Sequence, residues 1–480
     1  MENSKHSDGY IVRDPGLQRN ILAVLITGGI MASVDSTIVI LAFPDMVKSL
    51  GSNFASMIWV ILSYMLVVAL LTTQLGRLGD IYGRGKMFNL GFLGFTIGSA
   101  LCGAAPDVIF LIASRVVQGV GGALMQANTG AIIADTFPPE KRGRVYGLNG
   151  IGWSTGSVLG IILGGVITTF LGWRYIFYIN LPIGAIALYL GYRYLKDETH
   201  ARTSIDWRGM IALGAILLLF SYGAMDTVIS GITSFNVGLM VLALLLIPVF
   251  ILIEKRVKFP TIDIAEFKNR YLASSMFSNF FFSLGFLAVS FMVIMYLQGV
   301  RGLSPLNASL LLVPSYVILA ISAPQMGKLG DRIGHSIVAT AGLLVMVLGV
   351  AVYATIGAAT PLYFIIIGSM ITGVGASMYF PSNNTAIMNN VRQEFRGSAS
   401  GLMRTIGNVG AMCSFVVALA IASNSIPREE AFQIFLGTSN LSGDISTVFV
   451  TGLHAALITS AVMLFIAAVL SHARGKERAL

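Results

Sequence analysis

Asp35 is an acidic residue in a long and otherwise apolar stretch that runs from Leu17 to Phe43. At ~1.5 Å per residue, a helix of this length crosses a hydrocarbon core that is ~30 Å thick. An ionised carboxylate at that depth is costly unless it faces a protein interior or a partner. The segment Met31-Ala-Ser-Val-Asp-Ser-Thr places small and hydroxylated residues beside it. We interpret Asp35 as a functional group that faces other helices. The alternative is a polar residue near a helix end, where the membrane tolerates it.

Arg115 is the predicted partner of Asp35. It lies eight residues after Asp107, where a later helix enters from the outside, and Asp35 lies eight residues before Phe43, the outer end of its own helix. Eight residues span ~12 Å of helix, so the two charges lie at the same depth. Pairing lowers the cost of burying each charge, and Gln118 shares a helix face with Arg115. We expect these three residues to couple proton and substrate movement; a static structural pair is the alternative.

Arg404 is a second basic residue that we place inside an apolar helix, about seven residues from the helix start and towards the cytoplasm. Asn383 and Asn384 lie at a comparable depth on the preceding helix, and Asn408 is one turn further along. These residues either line the pathway of a small molecule or only satisfy the guanidinium, and both readings stay open. Further pocket candidates, which are packing residues under the alternative reading, are Trp59, Tyr64, Trp153, Asn180, Asn279, Phe280 and Tyr296.

The pattern Gly-x-Leu-Gly-Asp-x-x-Gly occurs twice, in Gly76–Gly83 and in Gly327–Gly334. Each copy carries an acidic residue, Asp80 or Asp331, on a short hairpin between two apolar segments. One copy alone is compatible with a simple tight turn. Two copies at matching places indicate a duplicated architecture, as in transporters whose halves rock around a site near the middle of the membrane.

The composition indicates the environment of these residues. Hydrophobic residues make up 55% of the 480, charged residues make up 11%, and the mean hydropathy is +0.80. Soluble proteins carry about 25% charged residues, so we predict an all-α polytopic membrane protein. Fourteen transmembrane helices are expected, over about 17–43, 55–75, 86–105, 108–135, 144–171, 174–195, 207–226, 235–254, 271–298, 305–327, 336–357, 361–390, 397–424 and 447–472.

The basic residues are distributed unevenly between the predicted loops. Twenty-five of the 31 lysines and arginines fall on one side of the membrane, four fall on the other, and two lie within helices. The positive-inside rule then places both termini in the cytoplasm. The rule also accounts for the net charge of +9, so no nucleic-acid partner is needed. We expect a multi-pass protein of the plasma membrane.

The domain organisation follows from the repeat. We predict an N-terminal six-helix bundle over residues 1–200, a two-helix insert with linkers over 201–259, and a C-terminal six-helix bundle over 260–480. No Walker-type phosphate loop is present, which argues against ATP-driven transport. No cluster of cysteine and histidine suggests a metal. The two cysteines, Cys102 and Cys413, lie in predicted helices and are read as packing residues.

Several segments are similar to motifs of one transporter family. Gly76–Lys86 resembles the signature between the second and third helices of the major facilitator superfamily. Asp35–Pro44 resembles the first-helix motif of its fourteen-helix drug:proton antiporter family, and Arg115–Gly122 resembles the fourth-helix motif linked to proton coupling. Trp173–Gly184 is similar to the family's junction between the fifth and sixth helices. The resemblance covers essentially the whole chain and implies the major facilitator fold, two six-helix bundles plus two inserted helices.

The fifth predicted helix departs from the family motif. The antiporter motif usually has prolines after glycines, where this chain has Ser157 and Ile161. A proline would kink the helix by removing a backbone donor. The small-xxx-small spacing that lets helices approach closely is present at Gly152, Gly156, Gly160, Gly164 and Gly165. The resemblance therefore supports the fold more strongly than the direction of transport.

The resemblance also implies a conformational gate at the hairpins, formed by Gly76, Asp80, Gly83, Arg84, Asp135 and Asp331. Asp80 is expected against the start of the thirteenth helix, near residues 396–398, where the helix dipole favours a carboxylate. Arg84 is expected to pair with Asp135 at the inner end of the fourth helix. By pseudo-symmetry, Asp331 is expected to meet the start of the fifth helix near residues 140–143. Such contacts exist only while the cytoplasmic side is closed, so they would favour an outward-open state.

These features predict a secondary active transporter and not an enzyme. The expected activity is proton-coupled efflux, by alternating access, of lipophilic or cationic drugs or metabolites. Its partners would be a small-molecule substrate, protons and the lipid bilayer; we expect a monomer with no cofactor, driven by the proton gradient. An importer or exchanger of a small organic solute and a lipid flippase are the alternatives on the same fold. A membrane sensor or embedded enzyme is disfavoured, because the longest extramembrane stretch, 425–446, holds neither a large domain nor a catalytic cluster.

Overall fold

A computed structural model describes residues 14–195, 206–257, 260, 269–389, 396–424 and 444–474. Within these residues the chain forms fourteen long helices. A four-residue helix, Tyr175–Tyr178, precedes the sixth of these long helices, and a π-helical turn, Tyr296–Val300, follows the ninth. The long helices are α1 Pro15–Leu50, α2 Phe54–Tyr82, α3 Arg84–Gly103, α4 Val108–Thr136, α5 Pro139–Phe170, α6 Asn180–Tyr194, α7 Trp207–Ser230, α8 Ser234–Glu254, α9 Arg270–Met295, α10 Pro305–Ile333, α11 His335–Tyr353, α12 Tyr363–Asn389, α13 Arg396–Asn424 and α14 Asp444–His472.

The helices have the length and composition of membrane spans. Eleven of them, within the part of the chain that the structure describes, are individually long and apolar enough to cross a bilayer. In α2 the segments Ser56–Thr72 and Gln74–Tyr82 are together long and apolar enough to cross a bilayer, and the angle between them is 52°. In α13 the apolar stretch is Leu402–Ala418. The prediction of an all-helical polytopic membrane protein is confirmed, and each predicted segment corresponds to one helix.

The two repeated hairpins have nearly the same backbone. Gly83 has φ 104° and ψ 126°, and Gly334 has φ 99° and ψ 129°. Both conformations belong to a region that glycine adopts readily and other residues rarely adopt. Most of each motif is helical, since α2 continues to Tyr82 and α10 to Ile333. The predicted ends near residues 75 and 327 were therefore too early, because the glycines before Asp80 and Asp331 are tolerated inside a helix.

The packing follows the predicted duplication. In the first set, α1 packs on α5, and α4 packs on both α2 and α3; in the second set, α9 packs on α13 and α14, and α12 packs on both α10 and α11. We call helices α1–α6 the N-half and helices α9–α14 the C-half. The two halves meet where α2 packs on α13 and where α5 packs on α10. The inserted pair, α7 and α8, packs through α7 against α2 and α13.

Glycines in α5 allow this helix to approach α1. A Cβ atom at Gly156 would lie 2.8 Å from the carbonyl oxygen of Ile30, and one at Gly160 would lie 2.7 Å from that of Val34. Such distances are shorter than real Cβ contacts, so larger residues would force the helices apart. The close approach expected from the small-xxx-small spacing is present.

The halves are joined at the end of the molecule remote from the hairpins. We call the end that carries Gly83 and Gly334 the hairpin face and the other end the far face. Near the far face the Phe43 and Phe291 rings pack edge to face with centres 5.4 Å apart. Gln298 Nε2 donates to the carbonyl oxygen of Leu41 at 3.1 Å. These contacts of α1 with α9 and with the π-helical turn that follows it hold the two halves together at the far face.

Candidate functional site

Asp35, Arg115 and Gln118 lie together in the interior of the N-half. Asp35 and Gln118 are completely buried, and Arg115 is 1% exposed. Arg115 Nη1 donates to Asp35 Oδ2 at 2.6 Å, and Gln118 Nε2 donates to Asp35 Oδ1 at 2.7 Å. The Gln118 side-chain oxygen accepts from Arg115 Nη1 at 2.5 Å. The predicted pairing is therefore present, and both carboxylate oxygens are occupied. We call these three residues the buried ion-pair network.

Neighbouring helices complete this network. Arg115 Nε donates to the carbonyl oxygen of Val60 in α2 at 3.0 Å, and its guanidinium carbon lies 4.3 Å from the centre of the Tyr64 ring. Gln118 Nε2 also donates to Ser99 Oγ in α3 at 2.9 Å. Buried charges are tolerated only when such bonds satisfy their polar atoms. Four helices of the N-half therefore share the task of holding one carboxylate.

A glycine in α3 sets the geometry around Gln118. A Cβ atom at Gly98 would lie 2.5 Å from the backbone nitrogen of Gln118 and 2.6 Å from its Cα. Any larger residue would push α3 away from α4 and carry Ser99 out of hydrogen-bond reach. Gly98 therefore positions the amide that holds Asp35.

The charge balance of the buried ion-pair network depends on whether Asp35 is protonated. With Asp35 ionised, the carboxylate and the guanidinium neutralise each other, which reduces the cost of burying both. A proton on Asp35 would leave the Arg115 charge without a counterion and would turn an acceptor oxygen into a donor. Protonation therefore requires a compensating movement of α1 or α4. A completely buried carboxylate also needs such a movement before any proton from water can reach it.

A second polar contact joins α1 to α5 just before Asp35. Ser33 Oγ donates to the carbonyl oxygen of Trp153 at 2.7 Å and lies 2.8 Å from Ser157 Oγ. Ser157 stands where the antiporter motif usually has a proline, so a hydrogen bond between helices takes the place of a kink. The sequence analysis treated Ser157 only as a departure from the motif and did not predict this contact.

The first hairpin forms a cluster of three charges on the hairpin face. Arg84 Nη1 donates to both oxygens of Asp135 at 2.7 and 2.6 Å, and Arg84 Nε donates to Asp80 Oδ1 at 2.7 Å. The pairing of Arg84 with Asp135 expected from the resemblance is present. Because these side chains are 27–37% exposed, water screens the charges, and each pair is worth about 0–1 kcal/mol.

The other hairpin expectations have a different outcome. Asp80 bonds to Arg84, and its expected contact near 396–398 involves side chains outside the described residues. Asp331 is 68% exposed and lies 3.1 Å from His335 Nε2. Its expected contact near 140–143 also involves side chains outside the described residues. A Cβ atom at Gly76 would meet Ala127 only at 3.8 Å, an ordinary contact, so no steric reason requires a glycine at that position.

The asparagines of the C-half do not satisfy Arg404. Asn383 accepts from Arg474 at the end of α14, and Asn384 is exposed on α12. Asn408 Nδ2 donates to Gln126 Oε1 of α4 at 3.0 Å, which joins the two halves. In the described structure no hydrogen bond links Arg404 to any of these three residues.

Arg404 itself lies at the boundary between the halves. Its guanidinium carbon is 5.8 Å from the centre of the Trp153 ring in α5. The side chain is half-buried, and among the described residues it has neither a hydrogen bond nor an ion pair. Within the described structure, the interpretation that these asparagines satisfy the guanidinium is therefore not supported.

The contacts of three polar residues in this region, Ser33, Ser99 and Gln126, were not predicted from the sequence. The signal for Gln126 was available, because it follows Arg115 by eleven residues, about three helical turns, and so lies on a similar face of α4. The signal for the serines was weak, because a hydroxyl in a membrane helix can bond to its own backbone.

Comparisons with known proteins agree with the geometry. A family model described as Major Facilitator Superfamily matches residues 25–414 and 275–479. The chain belongs to this superfamily. It is 30% identical over 438 residues to Multidrug resistance protein 3 of Bacillus subtilis (strain 168), covering 89% of this chain and 85% of that protein. It is also 30% identical over 408 residues to the riboflavin transporter RibZ of Clostridioides difficile (strain 630), covering 84% and 87%.

The solved structures give the same fold. A bacterial homolog of the human lysosomal transporter Spinster, in an inward-facing and unoccupied conformation, matches with a TM-score of 0.68 at 16% identity. The match covers 96% of this chain and 97% of that structure. As a member of the superfamily, the protein is a membrane transporter of small molecules and not an enzyme.

Proposed function

We propose that this superfamily member is a proton-coupled exporter of lipophilic drugs or metabolites, working by alternating access. The buried ion-pair network carries the proposal. An ion pair with no exposed carboxylate surface is an expensive feature in a membrane helix, and a static pair could be replaced by apolar residues at little loss of stability. A role in proton uptake explains why the pair is present, because Asp35 must then release Arg115 each time it takes up a proton.

The proposed cycle uses the network as a switch between two packings of the N-half. Uptake of a proton by Asp35 frees Arg115, and the α1–α4 contact rearranges until the proton leaves again. Because both Asp35 oxygens are already bonded, we infer that substrate and proton exclude each other through helix movement and not by contact with one carboxylate. This modifies the expectation of a cationic substrate, which relied on a free Asp35.

The hairpins are the second part of the proposal. Arg84 holds Asp80 and Asp135, from three different helices, on the hairpin face. We infer that this cluster stiffens the N-half, so that it moves as one body against the C-half. In the proposed orientation the hairpin face and both termini are cytoplasmic, the membrane is the plasma membrane, and the working unit is one chain with its two halves and insert.

The test is transport by purified protein in liposomes with an imposed pH gradient. The lipophilic cation rhodamine 6G and the aromatic anion fluorescein serve as probes, so that the test does not depend on the charge of the substrate. Asp35→Asn should abolish the gradient-driven flux while the protein still elutes as a single folded species. The matched control is Asp226→Asn in α7, which removes a helix carboxylate that bonds to Ser230 and Asn236. A full-rate, gradient-driven Asp35→Asn transporter would place the proton site elsewhere.

A second candidate is an importer or exchanger of a defined organic solute. It is favoured by the similarity to a riboflavin transporter along most of both chains. The same liposomes distinguish the two candidates. Riboflavin uptake that is faster than drug efflux and insensitive to Asp35→Asn would support the importer and reject the antiport proposal.

A further inference from the structure

Arg404 differs from Arg115 because, among the described residues, no acidic side chain neutralises it. Arg115 is paired with Asp35, whereas Arg404 has no hydrogen bond or ion pair within the described residues. A guanidinium in a membrane helix is costly unless water or a partner compensates it. Among the described residues, this positive charge of the C-half therefore has no counterion.

This charge lies where the two halves face each other. Arg404 belongs to α13 and faces Trp153 of α5, and one turn later Asn408 bonds to Gln126 of α4. In a transporter with two halves, the substrate is held between them near the middle of the membrane. Arg404 is thus placed to touch a substrate from the C-half side.

Trp153 offers a flat surface at the same place. A Cβ atom at Gly29 would lie 3.1 Å from both Cδ1 and Nε1 of the indole, so the absence of a side chain on α1 leaves room for the ring. In the described part of the chain the indole N–H has no hydrogen-bond acceptor. An aromatic face with a free donor beside a guanidinium is suited to a planar ring that carries an acidic group.

Asn149 adds a polar group to this place. It is 2% exposed, and no described residue forms a hydrogen bond with its Oδ1. A Cβ atom at Gly29 would lie 3.6 Å from that oxygen, so Asn149 and Trp153 flank the same part of α1. Buried polar atoms are normally satisfied, and a bound molecule that donates a hydrogen bond would satisfy this one.

We propose that Arg404 and Trp153 form the substrate site and that it selects aromatic organic anions. The guanidinium binds the acidic group, the indole stacks on the ring, and Asn149 Oδ1 accepts a hydrogen bond from the ligand. The proposal deepens the proposed function by naming its substrate class. It differs from the expectation of cationic drugs, because Asp35 and Arg115 neutralise each other and Arg404 has no counterion among the described residues.

Two dyes with the same xanthene core and opposite charge test the proposal. Fluorescein is an anion and rhodamine 123 is a cation at pH 7.5, and both report binding to purified protein by fluorescence anisotropy. The wild-type protein should bind fluorescein at least tenfold more tightly, about 1.4 kcal/mol. Equal affinities, or tighter binding of rhodamine 123, would overturn the proposal without the use of any variant.

Variants locate the site. Arg404→Gln should weaken fluorescein binding by tenfold or more and change rhodamine 123 binding less than about threefold, while Arg404→Lys should retain part of the preference. Trp153→Ala should weaken both dyes. The matched control is Arg174→Gln, since Arg174 also lies over a tryptophan, 4.4 Å from the ring centre of Trp173, but in the turn before α6. Fluorescein binding that survives Arg404→Gln, or is lost equally in Arg174→Gln, would overturn the assignment.

Two further arms separate this proposal from its alternatives. Binding in detergent is compared with binding after addition of anionic phospholipid; if the lipid displaces fluorescein competitively, Arg404 is a lipid headgroup site and the proposal fails. Flux in liposomes then separates the two proposals. Fluorescein binding that depends on Arg404 without gradient-driven flux would reject the antiport and keep the anion site. Gradient-driven rhodamine flux without fluorescein binding would reject the anion site and support the antiport.

Discussion

The coupling between Asp35 and Arg115 can be measured with a double-mutant cycle. The side chains are 0% and 2% exposed, and the Nη1–Oδ2 distance is 2.6 Å. Removing one partner of a buried pair costs ~3–5 kcal/mol, because the other charge stays buried without compensation. Asp35→Asn and Arg115→Gln should each destabilise the protein by about this amount. The double variant restores a neutral, hydrogen-bonded pair and should be less destabilised than the sum of the single variants by ~1–3 kcal/mol.

The assay is equilibrium unfolding in mixed micelles of dodecyl maltoside and sodium dodecyl sulfate, followed by tryptophan fluorescence. Transport is measured on the same preparations. The double variant should recover stability without recovering gradient-driven flux, because it has no titratable group in the network. Additive single effects would refute the reasoning that the pair is energetically coupled. Recovery of proton-driven flux in the double variant would refute the reasoning that Asp35 holds the proton.

Three further predictions concern the hairpins, the α1–α5 contact and the topology. Asp80→Asn should slow transport more than it weakens substrate binding, with accessibility labelling reporting a shifted distribution of states; unchanged labelling and normal transport would reduce the motif to a turn. Gly156→Leu should lower thermal stability and flux strongly, because its side chain would meet the α1 backbone, whereas Gly150→Leu, with nothing within 4 Å of its Cβ position, is the control. Single cysteines should label from inside, outside and inside respectively at Gly9, Gly437 and Gly475, and an outside signal at the last position would contradict an even number of spans.

The sequence was sufficient for the fold and for the pair of buried charges. Each of the fourteen predicted apolar segments corresponds to one helix. Asp35 and Arg115 were paired correctly because they lie at equal depth from their helix ends, and an α-helix has a constant rise per residue. The repeated hairpin was also recognisable, although the observed helices run through most of each motif. The glycine at each turn, Gly83 and Gly334, is the element that ends the helix.

The contacts of the C-half could not be predicted in the same way. Depth alone placed Asn383 and Asn384 beside Arg404, but depth does not fix the direction in which a side chain points around the helix axis. That direction depends on how α12 and α13 rotate against their neighbours, and this is decided by packing over many residues. The result is that Asn383 faces Arg474 and Asn408 faces Gln126.

The two proposed sites lie close enough for direct mechanical coupling. Ser33 is two residues from Asp35 on α1, its hydroxyl bonds to the backbone of Trp153, and the Trp153 ring lies over Arg404. If protonation of Asp35 moves α1, the carbonyl that Ser33 holds must move with it or lose its hydrogen bond, and the indole shifts relative to the guanidinium. A proton in the N-half would then alter an anion site shared with the C-half through the contact between α1 and α5. Adjacency alone does not establish coupling, so the affinity for fluorescein should depend on Asp35 in wild-type protein and lose that dependence when Ser33→Ala removes the bond.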